Sequence, residues 1–404
     1  MSMDQTPRGQ RLHISVFGKR NAGKSTLING LTNQETALVS PVPGTTTDPV
    51  YKAMEVPGIG PCVFIDTPGF DDDGELGKKR IEKTWDVLGK TDLALLVVSQ
   101  EEKITNLEEE KQWMLRLRKE KIPVLVILNA WDVKAKETKD LKDQIKKIIG
   151  ASPLLVNGKE GTGIKEILNG LISMIPEEDH QISITGDLAT AGDHVLLVMP
   201  QDTQAPKGRL ILPQVQTIRE LLDKKCIVTS CTPDTYVQAL ETLRKEPKLI
   251  ITDSSVFKGV YERKPKKSLL TSFSVLFAGY KGDMDYFIKS ANKIKDLTEH
   301  SKVLIAEACT HAAEKEDIGR VKIPALLKKN IGSGITIDIV SGIDFLKDLE
   351  TYDLVIHCGG CMFNRKYVLH RIDRAKEKKV PMTNYGIVMA YFAGILDKIS
   401  VPSR

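Results

Sequence analysis

Leu12-His13-Ile14-Ser15-Val16-Phe17-Gly18-Lys19-Arg20-Asn21-Ala22-Gly23-Lys24-Ser25 is the stretch that decides the fold. Leu12 to Phe17 form a short apolar run that reads as a buried strand, and Gly18 to Ser25 fit GxxxxGK[ST] with nothing missing. Such a loop aims successive backbone N–H groups at phosphate oxygens. Lys24 then reaches the terminal phosphates, the Ser25 hydroxyl ligates Mg²⁺, and a helix from Ser25 to Leu31 adds its positive amino end. A chance glycine-rich turn does not explain strand, loop and helix together.

Working outward, further residues recur in the order a guanine-nucleotide switch needs. Gly44-Thr45-Thr46-Thr47-Asp48 sits in a polar loop suited to closing on a γ-phosphate and its metal, which gives Thr46 a place at the Mg²⁺. Val63-Phe64-Ile65-Asp66-Thr67-Pro68-Gly69 is a strand ending in an Asp that can hold Mg²⁺ through water, then a Gly whose N–H can reach the γ-phosphate. Val124 to Asn129 is another strand, carrying Asn129 and Asp132 at its end, and a carboxylate there can accept from the N1–H and exocyclic amine of guanine. Asn157-Gly158-Lys159, after Pro153 to Val156, completes the base pocket.

These motifs, across residues 11 to 175, resemble the GTPases related to Era and TrmE. The resemblance assigns the nucleotide to Asn21, Ala22, Gly23, Lys24, Ser25, Thr26, Asp66, Asn129, Asp132, Asn157 and Gly158, and implies GTP and GDP as ligands with Mg²⁺. It implies a GTPase in which Lys24, Asn21, Thr46 and Gly69 serve catalysis. Asn21 matches the asparagine with which TrmE-like proteins coordinate K⁺, so potassium-stimulated hydrolysis is expected. Three departures stand out: Ala130 replaces the lysine of NKxD, Asn157-Gly158 replaces Ser-Ala, and Phe70 occupies the place of the water-orienting glutamine of Ras-like proteins. The water-positioning acid is sought in Asp71 to Asp73 or Glu75.

A chain of 404 residues exceeds one ordinary core, and three domains are expected. Strands without polar alternation, alternating with helices, indicate mainly parallel sheets covered on both faces. The fold class is therefore α/β: a P-loop GTPase domain over 1–178, then two smaller α/β units over 179–267 and 268–404. The basic excess is only +5, with lysines scattered along helices and no aromatic-interleaved basic surface, so no nucleic-acid partner is expected. No apolar run reaches membrane-spanning length and the polar first ten residues are not a secretory signal, so a cytoplasmic location without membrane partner is expected. The middle unit has no phosphate loop or acid–base cluster, and dimerisation is its economical role. Ser274 to Phe277, Val303 to Ala306, Ile335 to Val340 and Asp353 to Ile356 read as strands of the last unit, with a closing strand near Val380-Pro381-Met382.

Two pieces of that last unit carry chemistry. Cys309-Thr310-His311 and His357-Cys358-Gly359-Gly360-Cys361 each follow a short β-branched run. If those strands are parallel neighbours, their carboxyl ends open onto one crevice, where three thiols and two imidazoles converge. Gly359-Gly360 lets the backbone curl around an ion or cluster. Three thiolates with an exchangeable fourth position suit a 4Fe-4S cluster, and Cys3His zinc is the alternative.

Joined to the GTPase motifs, this Cys/His set resembles the HydF family of FeFe-hydrogenase maturation GTPases over nearly the whole chain. By that resemblance Cys309, Cys358 and Cys361 bind the 4Fe-4S cluster, and His311 or His357 occupies or flanks the fourth iron. The implied role is a homodimeric scaffold and carrier, joined through its middle domain. It takes a dinuclear iron precursor from radical-SAM maturases and passes it to apo-FeFe-hydrogenase. The competing reading is a TrmE/Era-like GTPase of RNA modification or ribosome assembly with structural zinc.

Overall fold

The computed structural model describes residues 8–32, 49–69, 84, 87–101, 107–175, 182–200, 210–308, 317–342, 345 and 348–403. They fall into two compact units, 1–179 and 180–404.

The first unit is a six-stranded sheet in the order β2-β3-β1-β4-β5-β6. Its strands are β1 (Leu12–Phe17), β2 (Val50–Val56), β3 (Gly60–Asp66), β4 (Leu93–Ser99), β5 (Val124–Asn129) and β6 (Leu154–Val156). All pairs are parallel except β2 with β3. Because successive side chains point to opposite faces, these apolar strands feed two cores. Ile14, Val16, Phe64, Leu95, Val97 and Ile127 meet the helices Lys24–Thr32 and Ile164–Met174, whereas Val63, Ile65, Leu96, Val98 and Leu128 meet Glu108–Lys119 and Lys136–Ile149. The sheet is thus covered on both faces, as in a P-loop GTPase.

The second unit holds two four-stranded, all-parallel sheets. One has the order β10-β9-β7-β8, from β7 (His194–Val198), β8 (Ile227–Cys231), β9 (Leu249–Thr252) and β10 (Leu269–Ser272). The other has the order β12-β11-β13-β14, from β11 (Lys302–Glu307), β12 (Thr336–Ser341), β13 (Leu354–His357) and β14 (Met382–Asn384). The sheets share a core in which Leu196, Val198, Ile250 and Leu270 of one join Leu304, Ala306, Val355 and Met382 of the other.

One element departs from the sequence reading. Ser274 to Phe277, expected as a strand, lies in the helix Phe273–Lys281. Ser272 caps it by accepting from Val275 N. Val275 and Ala278 enter the shared core, while Phe273, Leu276 and Phe277 pack with Val195, Leu197 and Ile251. A helix apolar on all sides lacks the 3.6-residue stripe, so a short stretch of it reads like a buried strand. The helices Ile323–Ile331 and Tyr385–Phe392 had no counterpart in that reading.

Candidate functional site

The phosphate loop runs from the end of β1 into the helix Lys24–Thr32. Gly23 has φ +88°, and a Cβ there would lie 2.1 Å from Asn129 Nδ2, so only glycine fits where the loop passes the base-recognition strand. Lys24 Nζ donates to Gly18 O at 2.8 Å and Lys19 O at 2.7 Å, which curls the loop around a buried ammonium. Ser25 Oγ donates to Asp66 Oδ2 at 2.5 Å, while Asp66 Oδ1 is buried without a partner. Burial pushes the Asp66 carboxyl up, against the opposing pull of Ser25, Lys24 and Lys52. A hydroxyl beside a buried carboxylate oxygen that lacks a donor fits the demand of Mg²⁺ for hard oxygen ligands.

Asn129, at the tip of β5, ties two loops together. Its Nδ2 donates to Ala22 O at 3.1 Å and its Oδ1 accepts from Gly158 N at 3.1 Å. Asn157 folds the neighbouring loop: Nδ2 donates to Trp131 O, and Oδ1 accepts from Lys159 N and Glu160 N. Asn129 and Asn157 therefore tie together the loops that follow β1, β5 and β6, while Asp132 is exposed and holds Lys134 N. Trp131 stands 68% exposed beside them. Gly69 is buried at the end of the segment after β3. Thr46 and the acids Asp71 to Asp73 and Glu75 lie outside the described residues.

The second site lies where β11 and β13 end side by side, in parallel register with Ala306 opposite His357. Cys358 N donates to Ala306 O at 2.9 Å, which carries the pairing past the strand end. Cys358 Sγ then accepts from Ala308 N at 3.1 Å and Gly360 N at 3.4 Å. Gly360 has φ +61°, and Phe363 N donates to Gly360 O, closing a turn that carries Cys361. Burial pushes the Cys358 thiol up to about 11, and the two backbone N–H bonds pull the other way. Both donors favour a thiolate, the form in which a cysteine can bind metal. Cys309 and His311 lie outside the described residues; Cys309 directly follows the Ala308 whose amide faces the Cys358 sulfur.

His357 turns away from the thiols. Nδ1–H donates to Cys358 O at 2.6 Å, and Nε2 accepts from Arg371 Nη1 at 2.9 Å, so the ring lone pair is engaged. Burial, then Arg371, lowers its pKa to about 3, and the imidazole is neutral with a fixed tautomer. It buttresses Cys358 rather than facing outward as a ligand. Asn384 Nδ2 adds a second donor to Cys358 O at 3.2 Å.

Two side chains that the sequence did not mark complete the site. Lys281, 2% exposed, donates to Gly360 O at 3.0 Å, Cys361 O at 3.3 Å and Phe363 O at 2.6 Å. Burial lowers its pKa to about 8, opposed by Cys361 and Cys358. Arg371, 1% exposed, lies over the rings of Phe345, Phe363 and Tyr367 at 4.6, 4.6 and 4.8 Å and also donates to Gly342 O. Lys281 ends an uncharged apolar run, a faint signal; Arg371 reads like any basic residue of a helix.

Three family models match successive stretches of the chain. The family model described as hydrogen maturase F dimerization domain matches residues 184–282, and the hydrogen maturase F tetramerization domain matches 285–402. The chain has the domain architecture of the HydF family. Ahead of the two HydF domains, residues 13–130 match the model of a 50S ribosome-binding GTPase. GTPase Der of Wolinella succinogenes is 33% identical over 165 residues, covering 38% of this chain and 34% of that protein. The tRNA modification GTPase MnmE of Heliobacterium modesticaldum is 30% identical over 166 residues, covering 41% and 34%. The chain spans about a third of the length of these curated relatives. The solved structure of Aquifex aeolicus Era bound to GDP and AlF4⁻ is similar at 20% identity and a TM-score of 0.38, over 55% of this chain and 92% of that one. Among the described residues no helix is long and apolar enough to cross a membrane.

Proposed function

We propose that this chain is a GTP-hydrolysing scaffold that binds a 4Fe-4S cluster, assembles the dinuclear iron precursor of the hydrogenase active site and delivers it to apo-FeFe-hydrogenase. The reading rests on one observation above all: Cys358 accepts two backbone N–H bonds at a strand tip, beside the tip that continues into Cys309. Cys309, Cys358 and Cys361 hold the cluster in this reading, with His311 near the fourth position and His357 orienting Cys358. When bound, the cluster supplies an exchangeable coordination position for cargo.

At the nucleotide, Lys24 exchanges the carbonyls of Gly18 and Lys19 for the terminal phosphates, and Ser25 with Asp66 and Thr46 holds Mg²⁺. Asn21 serves as a K⁺ ligand, and the Gly69 N–H reaches the γ-phosphate. Hydrolysis removes the γ-phosphate, and its loss alters docking of the radical-SAM maturases or of the hydrogenase. The nucleotide thereby drives partner exchange rather than cluster chemistry.

Self-association follows from the edge of the middle sheet. Among the described residues β8 pairs on one side only, and Ile227 is 59% exposed, as are Val215 and Leu222 of the helix Leu212–Asp223 at 48% and 56%. An unpaired edge next to apolar side chains favours a second copy of this chain. Light scattering on Ile227→Lys checks it, with monomer expected and an unchanged dimer overturning the placement.

The test of the main reading is anaerobic reconstitution with iron and sulfide, followed by metal analysis and EPR. Wild type should hold a reducible cluster that Cys358→Ser lacks. Stoichiometric zinc with no iron uptake would instead favour the GTPase of RNA modification or ribosome assembly.

A further inference from the structure

Lys281 and Arg371 are the buried cations among the described residues of 180–404, and neither makes an ion pair there. Lys281 is met by three carbonyls, and Arg371 by a carbonyl, an imidazole nitrogen, a side-chain hydrogen bond with Tyr367 and the rings of Phe345, Phe363 and Tyr367. Neutral partners meet the Lys281 ammonium and two nitrogens of the Arg371 guanidinium, whose Nε stays buried without a hydrogen-bond partner, and none of them cancels charge, so each cation is held at a cost that a counter-charge would lift. Cation–π contact returns only part of that at Arg371. Both side chains converge on the same turn. Lys281 grips the carbonyls of Gly360, Cys361 and Phe363, whereas Arg371 reaches Cys358 through the His357 ring, which donates to Cys358 O.

We propose that Lys281 and Arg371 are the built-in counter-charge of an anionic metal centre held by Cys358 and Cys361, and that they set how readily it accepts an electron. The inference rests on the cluster reading above. Thiolate ligands outweigh the charge of an iron–sulfur core, so the centre is anionic and becomes more so on reduction. One electron from an external one-electron reductant adds one negative charge at the turn that both cations support; no proton moves and no bond of the chain breaks. Fixed positive charge in a poorly solvated site favours that reduced state. Both are positioning residues, acting through the turn and its field.

The experiment uses the full chain, reconstituted anaerobically with ferrous iron and sulfide, and titrated with dithionite under EPR. Lys281→Gln and Arg371→Gln keep an N–H donor and remove the charge; Lys281→Arg restores charge. In each Gln variant the oxidised-to-reduced ratio at a fixed potential should rise about tenfold, a midpoint lowered by about 59 mV for one electron. Lys281→Arg should return to the wild-type midpoint. GTP hydrolysis should be unchanged in all three. Retained iron with an unmoved midpoint in both Gln variants would overturn the proposal. If the Gln variants lose iron, thermal unfolding of the metal-free proteins decides. Stability equal to or above wild type supports the missing counter-charge, and lowered stability assigns a purely structural clamp and overturns it. Failure of the wild type itself to take up iron would instead remove the cluster reading.

Discussion

The nucleotide loop and the thiol turn are both tight curls of chain at the carboxyl end of a parallel strand, yet they are held in opposite ways. The loop at Gly18 to Lys24 wraps its own lysine, which belongs to the motif and is free to trade carbonyls for phosphate. The turn at Cys358 to Phe363 is gripped by Lys281 and supported behind by Arg371, both distant in sequence. A site whose anion comes and goes keeps its cation local and exchangeable. On the proposed reading, a turn whose anionic centre stays in place has its cations buried in the surrounding core.

Four changes test that contrast, the largest effect first. Cys358→Ser should lower reconstituted iron and sulfide to background while GTP turnover stays at the wild-type rate; a parallel loss of turnover would mean the two sites are not separate. Lys24→Ala should cut kcat for GTP by about 10² to 10³-fold, the size of losing one charged donor at a transferring phosphoryl group. Its iron content should match wild type. Phe277→Ala empties a side chain 1% exposed and should cost about 3–5 kcal/mol in denaturant unfolding of the 180–404 unit. Nucleotide binding should be unaffected.

The smallest of the four concerns acid stability. Glu220 is desolvated, which raises its pKa, but donors from Thr185, Ile184 and Ser183 outweigh this and the folded value lies below 4.5. A depressed carboxyl contributes stability above its unfolded pKa and loses it as pH falls through the folded value. Glu220→Gln should therefore cost about 1.5–3 kcal/mol near neutral pH. The gap to wild type should narrow as pH falls below the ordinary glutamate range, as urea unfolding across pH would reveal. A gap constant with pH would mean the hydrogen bonds survive protonation.

How much was legible beforehand follows from the same contrast. The phosphate loop, Asp66 and Asn129 announce themselves because backbone geometry imposes fixed residue types at fixed spacing. The pairing of β11 with β13 was legible too, since both are β-branched runs followed by cysteine. Lys281 and Arg371 were not, because burial of a cation depends on what packs over it from other elements. The helix Phe273–Lys281 was misread for a related reason: surrounded by apolar neighbours, it has no polar face to mark its period. His357 was read as occupying or flanking the fourth position from its place beside Cys358. Only the position of Arg371 reveals that its lone pair is already spent.

The helix Phe273–Lys281 has a practical consequence for dissecting the molecule. It starts directly after β10 and finishes with the lysine that clasps the thiol turn, so the two HydF domain matches, 184–282 and 285–402, divide the chain between that lysine and the cysteines it serves. A fragment cut at that junction would keep the sulfurs and discard their clasp, leaving an apolar groove where the helix had been. Poor iron retention by such a fragment would then measure the surgery, and not the affinity of the intact protein.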